Sequence, residues 1–404
     1  MTTASVSNVR RVRRPSWSWR IALLLSCVVA LGGCKTVRGW FGGKAAEALK
    51  PAELTEISPT AKAERLWSIG LGDGEGALGS RQGPAVADGR VYAAALEGGV
   101  SAIDLQTGNR AWHHQAEETM VSSSPGVGEG IVVFGTLEGD VVALDAATGA
   151  QEWTAKVGTE VLAAPTIGQG SVLVRSIDGR VTAFNAETGE RRWFWERETP
   201  TLAVRGSGSP VLGPGLLFVG NDDGTVAALS LADGRLLWEQ TVAAPEGRTE
   251  LDRMADIDGT LVLDDVTVYA TSYKRQTMAI DGPSGRPVWA HDAGGPGRPA
   301  VGADKVVVTD PAGTVWGLDK ATGAALWQQA ALARRNVTAP AIHGDYALVA
   351  DLEGYLHWLR LSDGAFAARA NFDGEPIRAA PVVVDGIALV QDVDGGLSAW
   401  RVTP

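Results

Sequence analysis

A turn glycine four residues ahead of a tryptophan recurs along this chain. It occurs at Gly108/Trp112, Gly149/Trp153, Gly189/Trp193, Gly234/Trp238, Gly285/Trp289 and Gly323/Trp327, and Gly364 is a seventh, with Ala368 in the tryptophan place. The glycines stand 41, 40, 45, 51, 38 and 41 residues apart. Residues 125–157 show what fills an interval: four short runs rich in Val, Ile and Phe, separated by Glu129-Gly130, Glu138-Gly139 and Thr148-Gly149. Runs too short for helices, bounded by glycines that tolerate the positive φ of tight hairpins, read as strands. A lone four-stranded meander cannot cover both its faces. A period of about 40–45 residues with four strands per unit therefore indicates a β-propeller, an all-β fold of four-stranded antiparallel blades.

The blade count follows from the ends. Units open at Pro84, Pro125, Pro165, Pro210, Pro299, Pro340 and Pro381, and the fifth starts without proline at Asp256-Ile-Asp258-Gly-Thr. The last unit has strands at 387–391 and 396–401 around the turn Asp394-Gly395, and then stops at Pro404 without a fourth strand. The stretch Glu64-Arg-Leu-Trp67-Ser-Ile-Gly supplies that strand, with Trp67 in the docking position. Seven continuous blades and one split blade make an eight-bladed propeller over residues 61–404. Its ring is closed by the N-terminal strand pairing into the last blade, which leaves no free edge. Each repeat tryptophan is expected between neighbouring blades as packing.

The first 33 residues read as a lipoprotein signal peptide. Arg10, Arg11, Arg13, Arg14 and Arg20 precede an apolar core from Ile21 to Leu31, too short for a comfortable membrane span. Leu31-Gly-Gly-Cys34 resembles a bacterial lipobox, which implies cleavage before Cys34 and lipidation of its sulfur and new amino group. Several acyl chains on Cys34 would anchor stably where one would not. Lys35, rather than Asp, follows and points to the outer membrane. Residues 34–60, with Gly39, Gly42, Gly43, Pro51 and Pro59, read as a tether. Cys27 leaves with the signal, so the mature chain has neither a free thiol nor a disulfide; a large core makes that tolerable for an exported protein. The signal holds five arginines and no acid, so its removal takes the formal charge from −11 to −16. Such an acidic body argues against nucleic acid as a partner.

Function is sought where the repeat breaks. The two longest intervals expand neighbouring loops on one face of the ring, at 198–210 and 242–259. In the first, Leu202 and Val204 alternate beside Arg205, either as an interface anchor or folded back on blades three and four. In the second, Asp256 and Asp258 either pair with Arg205, Arg248 or Arg253, or cap the start of a strand.

Three stretches carry a resemblance: Thr201-Leu202-Ala-Val204-Arg205-Gly, Thr249-Glu250-Leu-Asp252-Arg253-Met-Ala-Asp256-Ile-Asp258, and Leu352-Glu353-Gly354-Tyr355-Leu356-His357-Trp358. Together with the lipobox and the blade count, they make residues from about 60 to 404 resemble the BamB family. The resemblance implies a lipid-anchored, non-catalytic subunit of the outer-membrane β-barrel assembly (BAM) complex, facing the periplasm and carrying no cofactor. It implies docking on the POTRA domains of BamA, with Leu202, Val204, Arg205, Asp256 and Asp258 as contact residues, and a possible hold on unfolded outer-membrane proteins. Val204 stands where leucine is expected. Leu261 stands near a usual proline, and Lys274-Arg275-Gln276 replaces the acidic-glycine turn of other blades.

Two other classes compete. The repeat also resembles quinoprotein dehydrogenases, which hold pyrroloquinoline quinone and calcium on the propeller axis. The mature chain lacks their vicinal cysteines, and its aspartates lie mostly in turns, with no run that looks like an oxygen-ligand cage. His113, His114, His291, His343 and His357 show no metal-ligand spacing, and Gly206-Ser-Gly-Ser lacks the strand–turn–helix setting of a nucleophile elbow. The other class is a generic periplasmic scaffold that shares only the fold.

Overall fold

The computed structural model describes residues 50–116, 119–198, 200, 202, 208–249 and 253–404. The signal peptide, Cys34, Val204 and Arg205 lie outside the described residues. Residues 52–404 form eight four-stranded antiparallel sheets. Blades one to seven span 85–114, 126–156, 166–195, 211–241, 262–291, 300–329 and 341–371. Blade eight joins 382–384, 387–391 and 396–403 to the N-terminal strand Lys62–Gly70, which runs antiparallel to the last strand from Lys62↔Thr403 to Gly70↔Gly396. The split blade is as the sequence indicates.

Second and third strands are buried almost throughout, and the apolar clusters lie mainly between adjacent blades. Phe134 and Leu144 of blade two pack with Tyr92 and Ala102 of blade one, for example. The tryptophans make the same joint seven times. Each indole Nε1 donates to a carbonyl of the next blade, as Trp112 does to Ala146 at 3.1 Å and Trp153 to Ala186 at 2.9 Å. Each ring lies on that blade's turn glycine: a Cβ added at Gly149 would stand 2.6 Å from the Trp112 ring. Gly149 has φ +75°, and the turn is held by Asp145, whose Oδ1 accepts from the Thr148 amide at 2.7 Å and hydroxyl at 2.6 Å. Those bonds hold the Asp145 carboxyl below the usual range.

The exception at Ala368 now has a cause. A fourth-strand tryptophan docks on the turn between the third and fourth strands of the following blade. Blade eight has no such turn, because its third strand is C-terminal and its fourth is N-terminal. At this seam the indole comes from elsewhere: Trp358 meets Trp400 at a ring separation of 6.3 Å, with Ala368 in the same cluster.

The divergent fifth blade has all four strands. Its second-to-third turn places Arg275 at φ +64°, where other blades put glycine. A side chain there strains the backbone. Arg275→Gly should therefore stabilise the propeller by about 0.5–1 kcal/mol, the relieved strain being partly offset by the freedom glycine gains in the unfolded chain. For a domain of this size that is about 1 °C in Tm, measurable by calorimetry.

The chain ahead of the first strand is not slack. The Ala52 amide donates to Ala333 O at 2.9 Å, Leu54 packs on the blade-six/seven core, and the Thr60 amide donates to Ala367 O at 2.9 Å. Residues 52–61 are thus laid along blade seven before entering blade eight.

A buried acidic cluster at the blade-four rim

Residues 254–261, at the end of the expanded 242–259 loop and the start of the fifth unit, are an apolar plug between blades four and five. Met254, Ala255, Ile257 and Leu261 are buried. The Ile257 amide donates to Asn221 O at 3.1 Å, as Val161 does to Thr136 O at 3.2 Å and Ile377 to Asp351 O at 3.1 Å. The same short plug thus recurs around the ring, and Ile257 is its copy for blade five. Asp256 and Asp258 flank Ile257 and are carried inward with it.

Both aspartates are buried, Asp258 to 2% exposure. Their carboxylates are not on the surface. One oxygen each from Asp222, Asp256 and Asp258 lies within 4.8 Å of the others, a cluster that nothing in the sequence spacing revealed and that is within reach of a cation. Arg175 faces it: Nη2 donates to Asp222 Oδ1 at 2.7 Å and Nη1 to Gly208 O at 3.4 Å. Neither carboxyl oxygen of Asp258 has a hydrogen-bond partner among the described residues. Burial, then the Asp256 charge, push this carboxyl up to about 7, against the pull of Arg81 and Arg175. Arg175 was missed by sequence reasoning, although a signal existed. It ends the run Ser-Val-Leu-Val-Arg175, where the equivalent strands end in the uncharged Ala95, Gly135, Gly220, Thr271, Thr309, Ala350 and Gln391.

The cluster lies against Gly208, at the end of the loop that carries Leu202. That loop returns to blade four through Gly208 and Ser209. A Cβ at Gly208 would stand 2.8 Å from Asp258 O, and the Ser209 amide donates to Thr260 Oγ1 at 3.2 Å. The two expanded loops are therefore joined at their bases. Leu202 is 43% exposed. Of the five contact residues expected from the resemblance, Leu202 is exposed, Asp256 and Asp258 are buried, and Val204 and Arg205 lie outside the described residues.

The third stretch, Leu352–Trp358, builds a separate network in blade seven. Asp351 Oδ2 accepts from Arg335 Nε at 2.6 Å and from His357 Nε2 at 2.9 Å, and His357 Nδ1 accepts from Arg369 Nε at 3.2 Å. Burial lowers the His357 pKa, so the ring is neutral and carries its proton on Nε2. The two arginines reach the N-terminal segment: Arg335 Nη1 donates to Ala52 O at 2.9 Å and Arg369 Nη1 to Thr55 O at 2.8 Å.

The profile of the family described as Outer membrane protein assembly factor BamB matches residues 37–127, 116–329 and 318–403. The assembly factor BamB of Xanthomonas campestris is 58% identical over 394 residues, covering 95% of this chain and 97% of that protein. This chain belongs to the BamB family. The crystal structure of BamB from Moraxella catarrhalis superposes with a TM-score of 0.76 at 27% identity, over 84% of this chain and all of that one. A quinohemoprotein alcohol dehydrogenase from Comamonas testosteroni superposes at 0.66 with 17% identity, over 84% of this chain and 76% of that one, which shows a shared fold alone. Within a BamB-family chain, the loop base at Gly208 and Ser209 and the buried Arg175–Asp222–Asp258 group form one local unit at blades three to five.

Proposed function

We propose that this chain is a non-catalytic scaffold of outer-membrane β-barrel assembly, held to the outer membrane by lipid on Cys34 and facing the periplasm. Its blade-three-to-five face docks the POTRA region of BamA and so assists insertion of barrel proteins. The observation that supports this reading is an apolar side chain, Leu202, left exposed on a loop whose base is fixed by buried charges. Leu202, Val204 and Arg205 make the contact. Asp256 and Asp258 are positioning residues: they hold the loop base rather than touch the partner.

The test is calorimetry of the detergent-solubilised full chain against the POTRA region of BamA from the same species. Leu202→Ala and Arg205→Ala are each expected to weaken binding tenfold or more, about 1.4 kcal/mol. Binding retained by both variants would move the interface elsewhere. No binding by the folded parent chain would leave a generic scaffold. A second reading rests on the outer strands of blades three to six, where Phe194, Leu236, Val288 and Leu326 are exposed. Such edges suit strand addition by unfolded barrel proteins. Titrating an unfolded barrel protein in place of the POTRA region tests it, and no heat would remove it.

A further inference from the structure

A cavity of about 580 Å³ lies among the first strands and the loops that lead into them, lined by residues from most of the blades. That is within the range that takes a small molecule. Three arginines line it, Arg81, Arg298 and Arg378. This is a local excess of positive charge in a chain whose formal charge is −11.

Of the three, only Arg378 has an acidic side chain at ion-pair distance among the described residues. Arg298 is half-buried on the cavity wall, and its one hydrogen bond among the described residues goes to a neutral carbonyl, Pro381 O, at 3.3 Å. Burial lowers its pKa and no acidic neighbour offsets that pull. A guanidinium does not escape such a site by losing its proton, so it calls for an anion. Arg81 makes no hydrogen bond or ion pair among the described residues. It is held at φ +57°, a conformation glycine adopts with less strain. Arg378 donates to Gly76 O at 2.7 Å and lies 3.8 Å from Glu75 Oε1. Two acidic residues share the wall. Asp310 spends its carboxylate on the amides of Ala312 and Thr314 and the Trp316 indole. Asp258 feels the Arg81 charge, but burial holds its carboxyl up at about 7, so its negative charge near neutral pH is only partial.

We infer that this axial cavity is a binding site for a small multivalent oxyanion, a polycarboxylate or a phosphate, received chiefly by Arg298 and Arg81. Planar guanidiniums grip both kinds of group through paired N–H donors. The inference is independent of where BamA docks.

The experiment titrates the full chain in detergent with citrate and, separately, with inorganic phosphate, at matched ionic strength, by calorimetry. Saturable binding of one anion per chain is expected for at least one probe, and the tighter of the two identifies the class. Arg298→Gln and Arg81→Gln should each weaken it at least tenfold, while Arg401→Gln, on the outer surface, should leave it unchanged. Arg81→Gln removes no internal bond and keeps the test valid if Arg298→Gln fails to fold. Failure of both probes to saturate the folded parent chain, or binding that both cavity variants keep, would overturn the assignment.

Discussion

At pH 7.4 the Asp258→Asn variant should be more stable than the parent chain by about 2–4 kcal/mol. The sign follows from linkage. Asp258 is buried without a hydrogen-bond partner among the described residues, and its carboxyl is raised to about 7 in the folded chain, against an ordinary 3.8. Between those values the folded state holds a proton that the unfolded state has lost. This group's contribution therefore falls as pH rises, by up to about 1.4 kcal/mol per unit, and levels off above pH 7. Asparagine keeps the shape and removes the charge. Urea denaturation of parent and variant at several pH values should show curves that coincide near pH 4 and part progressively up to pH 7. A variant equal to or weaker than the parent at pH 7.4 would mean that the ionised carboxylate is fully compensated. The same variant bears on docking. If Asp258 positions the loop base, Asp258→Asn should gain stability and lose affinity for the POTRA region, the trade expected where strained charge is kept for function.

What could be read in advance, and what could not, divides by how each feature is encoded. The blade count was legible because every blade carries the same local code, a turn glycine with a tryptophan four residues on, and because Glu64–Gly70 matched the strand that the last repeat lacked. The absence of tryptophan at Ala368 was visible, but its cause needed the ring: the docking turn is missing at the one place where the two chain ends meet. The aspartates of the fifth blade stood out in the sequence, but their burial did not. Their burial depends on Ile257 being the copy of Val161 and Ile377, an equivalence carried by backbone bonds to the preceding blade and hidden by Leu261 in the proline position. Residues 52–60 looked like tether because glycine and proline crowd the segment before them. Their hold on the propeller comes from Arg335 and Arg369, about 280 and 310 residues away, a distance no local pattern spans.

That hold sets the other large effect. Asp351 has no solvent exposure, and its carboxylate serves four donors: Arg335 Nε, His357 Nε2, and the amides of Glu353 and Tyr355 at 2.9 and 3.0 Å. Burial alone would raise its pKa, but the bonds from His357 and Arg335 prevail and hold it below the usual value. Asp351→Ala removes the only buried anion of the group. It leaves the Arg335 guanidinium, itself 2% exposed, with Ala52 O and the outward-lying Glu353, and it orphans the His357 N–H. Losing one partner of a buried charged network costs about 3–5 kcal/mol, whereas breaking the solvent-screened Arg360–Asp363 pair should leave stability nearly unchanged. Urea denaturation of Asp351→Ala beside Arg360→Ala is the direct comparison. A second readout separates loss of the clamp from general weakening: protease access to residues 52–61 should rise in Asp351→Ala under conditions where the propeller remains folded, because Arg335 and Arg369 grip that segment from the same network. If the segment stays protected while stability falls, the network serves blade seven alone. If both change, the stretch Leu352–Trp358 fixes where the chain leading from Cys34 meets the ring.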